Sequence, residues 1–584
     1  MPIDVRNFVV ALACLVATAA LRAAELPFIY QDWEVFTTRD GLPHDAVRSI
    51  GVHGEQVWVG TEGGLAVRED GRWRSWTHLD PQHSMALPAI SALDFDPDTG
   101  DAWLGTWGSG LLRFTAGRFD RFDQLNSGLA GNLVFAVLVA NGRVWAATNG
   151  GLSVLDPRDD TWDLILERRA AGPELPLLSL VPEPDSNGLY AAAWCAGLYR
   201  IDVQRGTASA VPAPWEAAAD TTLAVAQADG TTWWVTQTQV ARRIGSASWE
   251  VRRIARPRPP GGSVTCAAAR SATEVWLGTD QGLRVLAAWP SDTWVTYRRS
   301  GADTTMLVAV TRAGETLETQ ALSAGLPDNR IRCLATDGDD IWVGTACGLA
   351  HGTRKGCQEP SSAGSARTVP DTSSAPVAIG VLSSVSRTMP LPGQATQPTD
   401  VAALVDVSAV QLAVEDANAR GGYRGKVPFT LVTDPYGYTR YGWTLPEDDF
   451  AMLAYTHPVS GIVGCVGPER RFTTAAAWRT EVPLVNAADE PATIDEAVNP
   501  WMFRATRAAR SDPDARARFA ARFEARFQRV PRAEAFASYV AAEHLLRAIE
   551  LAGPERDAIR RTLDEMNRAT KAADGRPIRG LPPR

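Results

Sequence analysis

Val57-Trp58-Val59-Gly60-Thr61-Glu62-Gly63-Gly64-Leu65-Ala66-Val67 reads as a buried strand, a tight glycine turn and a returning strand. The pattern comes back six more times. Val275 to Leu283 and Ile341 to Leu349 are near copies, Ala102 to Leu111 and Val144 to Leu152 are clear ones, and Leu189 to Leu198 and Trp233 to Val240 are eroded. With Trp58, Trp103, Trp145, Tyr190, Trp233, Trp276 and Trp342 taken as equivalent, the intervals are 45, 42, 45, 43, 43 and 66 residues. A strand-only repeat of about 40–45 residues is the signature of a propeller blade. The last interval is longer by roughly one hairpin, which Met306 to Val310 and Thr316 to Gln320, joined at Arg312-Ala313-Gly314, would supply.

Working outward, each repeat parses into four strands. An inner strand comes first (Ala46 to Gly51, Asn132 to Ala140, Arg330 to Thr336), then the tryptophan strand, then a third strand after the glycine turn. An outer strand with an aromatic closes the set, as at Trp73 to Thr77 or Trp294 to Arg298. The seventh repeat stops after His351-Gly352 with no outer strand. The chain begins with an orphan outer strand, Asp32 to Thr37, that has no blade of its own. A ring in which that strand completes the seventh blade leaves no edge unpaired. The expected count is therefore seven blades.

The chain has 584 residues, too many for one core, and its apolar share of 45% is ordinary for a globular protein. A net charge of -9 argues against nucleic-acid binding. Arg6 followed by the apolar run Phe8 to Leu21 reads as a secretory signal, with Ala17-Thr18-Ala19 or Arg22-Ala23-Ala24 before the cleavage point. At 14 residues the run is short for a spanning helix, which needs about 20, so a retained anchor is the weaker reading. The mature chain is expected to be exported, periplasmic or extracellular, with no transmembrane segment. The remaining cysteines (195, 266, 333, 347, 357 and 465) form no C-x-x-C pair, which disfavours zinc and leaves buried thiols or a disulfide among Cys333, Cys347 and Cys357 open.

The Trp-x-Gly-Thr-x-x-Gly-Leu motifs at Trp58, Trp276 and Trp342, with Gly41-Leu42-Pro43 and Gly325-Leu326-Pro327, resemble the two-component regulator propeller family over about residues 30–352. The resemblance implies an extracytoplasmic sensor role. It does not imply phosphoryl transfer by this chain, which shows no kinase segment. Propeller lyases that act on cyclic antibiotics use related repeats, but no channel set of His, Glu and Lys assembles here. His44, after a Gly-Leu-Pro turn, is the residue to inspect for chemistry, although a turn role is expected of it. Asp80, Asp94, Asp96 and Asp98 lack the glycine and distal glutamate of a calcium loop and read as a turn cluster. No metal and no cofactor is expected.

Gly352 to Ala375, rich in Ser, Pro, Thr and Gly, reads as a flexible tether. Beyond it the period changes. Val377 to Leu382 is a continuous apolar run, Val401 to Arg420 a helix stopped by Gly421-Gly422, and Phe429 to Thr433, Ile462 to Val466, Pro483 to Asn486 and Trp501 to Thr506 further strands. Strands alternating with helices, including Thr473 to Thr480, predict a doubly wound parallel sheet. Arg516, Arg518, Arg522, Arg526, Arg529 and Arg532 interleave with Phe519, Phe523 and Phe527, an amphipathic helix with its rings on one face.

Ile379-Gly380-Val381-Leu382-Ser383-Ser384, Ala413 to Gly422, Gly461 to Gly467 and Val482 to Ala488 resemble type I periplasmic binding proteins of the branched-chain amino-acid class, over roughly 376–570. Relative to that family most of the second lobe is absent. The resemblance implies ligand contacts at Ser383, at Gly467, Pro468, Glu469 and Arg470, and at Ala487, Ala488 and Asp489. Pro468 offers no N–H and Glu469 repels a carboxylate, while Arg470 or Arg471 would compensate and Asp489 suits an amine. The expected fold is thus an all-β seven-bladed propeller (25–352) after a signal peptide (1–24), then a linker (353–375) and an α/β doubly wound parallel-sheet domain (376–584), a single periplasmic-binding-protein-like lobe. The expected function is that of an exported, non-enzymatic sensor or ligand-binding protein. The propeller would recognise a partner or glycan, the lobe a small amino-acid-like ligand, and a membrane transporter or sensor kinase would be the partner. An interaction scaffold with a degenerate lobe and a propeller lyase or hydrolase are the alternatives.

Overall fold

The computed structural model describes residues 26–77, 89–167, 176–184, 188–194, 196–205, 207–214, 222–254, 263–300, 305–354, 376–382, 405–433, 450, 453–454, 459–464, 471–487, 499–504, 512–532 and 534–573. The expected signal peptide, nearly all of the expected linker, and His78, Asp80, His83, Cys195, Cys357 and Cys465 lie outside them.

Seven antiparallel sheets make the front half, and in the first six the strands run from innermost to outermost in chain order. The first blade comprises Val47–His53, Gln56–Thr61, Gly64–Glu69 and Arg72–Thr77, and the sixth carries two further strands, Met306–Arg312 and Glu315–Leu322. This is the hairpin that the long interval required; it extends the sixth blade outward from Thr293–Arg299. Neighbouring innermost strands touch all the way round, including Ile331–Asp337 of the seventh blade against Val47–His53 of the first. The ring is closed by Asp32–Phe36, which pairs antiparallel with Gly348–Thr353 from Asp32 opposite Thr353 to Phe36 opposite Leu349. The seventh blade thus takes its outer strand from the start of the chain, and its last strand runs one residue beyond the expected boundary.

The repeat motif has a mechanical reason at each letter. In six blades the Thr hydroxyl donates across the turn to a carbonyl at or just before the start of the next strand, at 2.7–3.1 Å (Thr61, Thr106, Thr148, Thr236, Thr279 and Thr345). The Gly before it marks where blades meet. A Cβ on Gly60, Gly105, Gly278 or Gly344 would lie 2.7 Å from Ile90, Val134, Ile331 or Val47, the equivalent β-branched residue of the next blade. The series runs through the seam, because Gly344 belongs to the last blade and Val47 to the first. Tryptophans fill the inter-blade space; Trp103, Trp145, Trp233, Trp276 and Trp342 are all buried.

The second part holds a five-stranded parallel sheet, spatially ordered Phe429–Thr433, Val377–Leu382, Gly461–Gly464, Leu484–Asn486, Met502–Arg504. Alternate residues face opposite sides. Val377, Ile379, Val381, Val463, Val485 and Phe503 pack under helices Val407–Ala419, Pro513–Phe527 and Ala535–Ala552. Ile462, Leu484 and Met502 face helix Arg471–Thr480. Burial on both faces explains why these strands read as unbroken apolar runs. The arginine-rich helix Pro513–Phe527 buries Phe519 and Phe523. Arg522 pairs with Asp416, which also accepts the Tyr539 hydroxyl (2.7 Å), and Arg526 and Arg529 pair with Glu415 (2.9 Å) and Asp406 (3.2 Å). Three arginines of that basic run are thus spent on acidic residues of the neighbouring helix and its N-cap.

Candidate functional site at the channel mouth

Every innermost strand carries a register shift at the same place. One residue is extruded at its start: Arg48, Ser91, Phe135, Leu178, Leu223, Thr265 and Arg332 in blade order. Because the blades repeat around the axis, these residues ring one mouth of the channel. The ring is two-sided. Blades six, seven, one and two contribute Thr265, Arg332, Arg48 and Ser91; blades three, four and five contribute Phe135, Leu178 and Leu223.

The α/β part is seated on this mouth through the end of helix Arg471–Thr480. Trp478 joins one apolar cluster with Phe135, Leu178 and Leu223, and its ring lies 4.7 Å from that of Trp194. Arg479 donates to the Leu178 carbonyl (3.0 Å). Arg48 donates to the carbonyls of Arg479 and Thr480, the latter at 3.4 Å, and so caps the helix C-terminus with a cation. Glu481 follows with φ +53° and turns its carboxylate toward Arg332, whose Nε donates to it at 2.9 Å. Arg332 also reaches Glu62 (3.2 Å), and Glu62 accepts from Arg48 Nε (3.0 Å). Farther round, Arg330 lies 3.8 Å from Glu555, and Arg560, Asp557 and Asp280 line the same crevice. This crevice has a volume of about 40 Å³, room for a few waters.

Charge balance holds this junction. Burial pushes the Glu62 carboxyl up, but Arg48 and Arg332 outweigh it and hold the group at about 2. Glu481 is likewise lowered, with Arg332 and Arg48 overcoming burial. Both are therefore carboxylates at neutral pH, facing the guanidiniums of Arg48 and Arg332. Burial drives the Cys266 thiol up to about 12 and raises Cys333 as well; both are free and lie on innermost strands beside the junction.

Of the ligand positions expected in the lobe, Ser383, Gly467, Pro468, Glu469, Arg470, Ala488 and Asp489 lie outside the described residues. Ala487 is buried, and its N–H donates to the Gly464 carbonyl (2.8 Å). His44 is exposed, and its Nδ1 accepts the Ala46 N–H at 3.0 Å, a turn role. Asp96 accepts the N–H groups of Asp98 (2.9 Å) and Thr99 (3.2 Å), again a turn. Asp94 accepts from Val139 N–H of the next blade (2.7 Å), and burial pushes its carboxyl up to about 6. Among the described residues no group of three or more His, Cys, Asp or Glu is placed to hold a metal ion. No helix among them is long and apolar enough to cross a membrane.

The two component regulator propeller family matches residues 325–346, the Gly325-Leu326-Pro327 and Trp342-Val343-Gly344-Thr345 motifs of the seventh blade. No curated protein matches the chain. Among solved structures it is similar to the extracellular domains of two B. thetaiotaomicron proteins. One is from the hybrid two component system BT3049 (15% identity, TM-score 0.41, 56% of this chain and 42% of that one). The other is from the one component system BT4673 (17%, TM-score 0.42, 56% and 41%). The chain therefore spans about two fifths of the length of those domains. It is also similar to virginiamycin B lyase from Staphylococcus aureus (13%, TM-score 0.38, 55% and 99%). The propeller assignment rests on the strand pairing and ring closure described above.

Proposed function

We propose that the protein is an exported, non-enzymatic binding protein of the sensor type, in which the propeller and the α/β part act as one recognition unit. The observation that carries this reading is the seated junction: a tryptophan, a capped helix end and a two-by-two ion network join the channel mouth to the second part. The match of the seventh blade to two component regulator propellers supports a sensing role. We read the second part as a single lobe like that of amino-acid-binding receptors. Its strand order places a topological switch point between Val377–Leu382 and Gly461–Gly464, where ligands of doubly wound sheets bind. The segments holding Ser383 and Gly467 to Arg470 follow those strands in sequence, and the segment holding Ala487 to Asp489 follows Leu484–Asn486. A small amino-acid-like ligand is the proposed occupant, and a membrane transporter or sensor kinase the proposed receiver of the signal. Thermal-shift and calorimetric screening of the full chain against the amino acids tests the reading. A ligand that raises the melting temperature, and loses its effect in Asp489→Ala or Arg470→Ala, supports it. No binding by any amino acid would favour an interaction scaffold instead.

A further inference from the structure

The lobe does more than rest on the propeller: its contact segment has the composition of a ligand. Trp478 lies on the apolar arc of the mouth and Glu481, three residues on, on the cationic arc. Between them the recognition is made to main chain, since Arg48 takes the last carbonyls of the helix whatever side chains they carry. We propose that the propeller mouth is a recognition site for the C-terminal turn of a protein helix bearing an aromatic residue and, three residues on, a carboxylate. In this structure Trp478–Glu481 occupies the site as an intramolecular stand-in.

Three observations specify the occupant. The mouth divides into an apolar arc of Phe135, Leu178 and Leu223 and a cationic arc containing Arg48 and Arg332, so one residue of each kind is required. With Glu481 withdrawn, the buried Arg332 guanidinium loses the carboxylate it holds in this structure; a side-chain carboxylate from the partner takes that place. A cation over the final carbonyls of a helix also matches the negative end of its dipole, which favours a helix terminus over a strand. Trp478 and Glu481 already occupy the two arcs, so internal and external occupants exclude one another. The site is therefore closed by the lobe and opens only when the lobe lifts. This inference does not depend on whether the lobe holds an amino acid.

The test uses the full chain and a fluorescein-labelled synthetic peptide with the sequence of residues 471–483. Apparent affinity scales with the fraction of molecules whose mouth is open, so Trp478→Ala and Glu481→Gln should each bind the peptide about tenfold or more tighter than the unaltered protein. Adding Arg332→Ala to either variant, or Glu481→Gln to the peptide, should abolish the gain. Variants that retain the native circular dichroism spectrum yet bind no better would overturn the proposal, as would a gain indifferent to Arg332. A second measurement needs no variant. A peptide with benzoylphenylalanine in place of Trp478, photolysed in excess with the unaltered protein, should cross-link to segments containing Phe135, Leu178 or Leu223. Cross-links elsewhere, or none, would overturn it. Amino-acid binding is read separately by thermal shift, so either reading can fail alone.

Discussion

Glu62→Gln removes one charge from the four-residue network beneath the lobe, and its cost follows from the carboxyl's displaced ionisation. In the folded protein Glu62 is held at about 2 against an ordinary value of 4.5. That displacement of about 2.5 units, at about 1.36 kcal/mol each, is roughly 3 kcal/mol. Because the folded value is depressed, the contribution is fully present above pH 4.5. It is lost as pH falls from 4.5 through about 2. The variant should therefore be about 3 kcal/mol less stable than the unaltered protein at pH 7, at the low end for breaking a buried ion pair. The two should converge near pH 2. Some acid sensitivity should persist in the variant, since Glu481 still faces Arg332. Urea unfolding followed by tryptophan fluorescence is the assay, because most of the 20 tryptophans belong to the propeller. A difference below about 1 kcal/mol at pH 7, or one that stays constant as pH falls, would refute the reasoning.

Other consequences are as definite. In a Cys333→Ala background, which clears the same-blade sulfur nearest to it, Gly344→Ala leaves a Cβ 2.7 Å from Val47 across the seam between the last and first blades, and should cost about 1–3 kcal/mol in urea unfolding; no loss would mean that the ring is not closed there. His351 stacks on Trp342 at 3.8 Å, and burial lowers its pKa against the pull of Asp340 and Glu34. It is neutral in the folded state, so the closing strand should lose stability as pH drops below 6.5 and through the lowered folded value. His351→Phe should flatten that part of the melting-temperature profile, and an unchanged slope would contradict the assignment. Asp416→Asn weakens the bonds from Arg522 and Tyr539 and should cost the lobe about 2 kcal/mol, read as a shift of the lobe's unfolding transition with the propeller's in place.

The propeller was legible because its constraints are local and repeated. Trp-x-Gly-Thr-x-x-Gly states a turn bond and a blade-to-blade approach within seven residues, and its count leaves over the orphan strand at Trp33 that closes the ring. The parallel sheet was legible for a similar reason, since a strand buried on both faces is apolar throughout. The junction was not legible, because it joins residues far apart in the chain. Arg48 contacts Arg479 and Thr480, and Arg332 contacts Glu481, across a stretch that reads as a flexible tether. A signal was present: arginines at equivalent positions near the start of otherwise apolar inner strands, at Arg48 and Arg332, are costly unless something neutralises them. Glu62, within the motif itself, is half of that answer; the other half, Glu481, sits after an alanine-rich helix that periodicity describes only as a helix. The basic helix around Arg522 shows the converse, a charge run whose partners at Asp406, Glu415 and Asp416 belong to helix Val407–Ala419 and its N-cap in the same lobe.

The claim on which the functional reading turns is that the lobe closes the propeller mouth through Trp478 and Glu481. A double-mutant cycle on Arg332→Ala and Glu481→Ala measures it most directly, by urea unfolding of the two single variants and the double variant of the full chain. A seated junction predicts a coupling energy of about 1.5 kcal/mol or more between the two positions. Single-variant effects that add to within about 0.5 kcal/mol would show that the two residues do not meet, and would contradict the account.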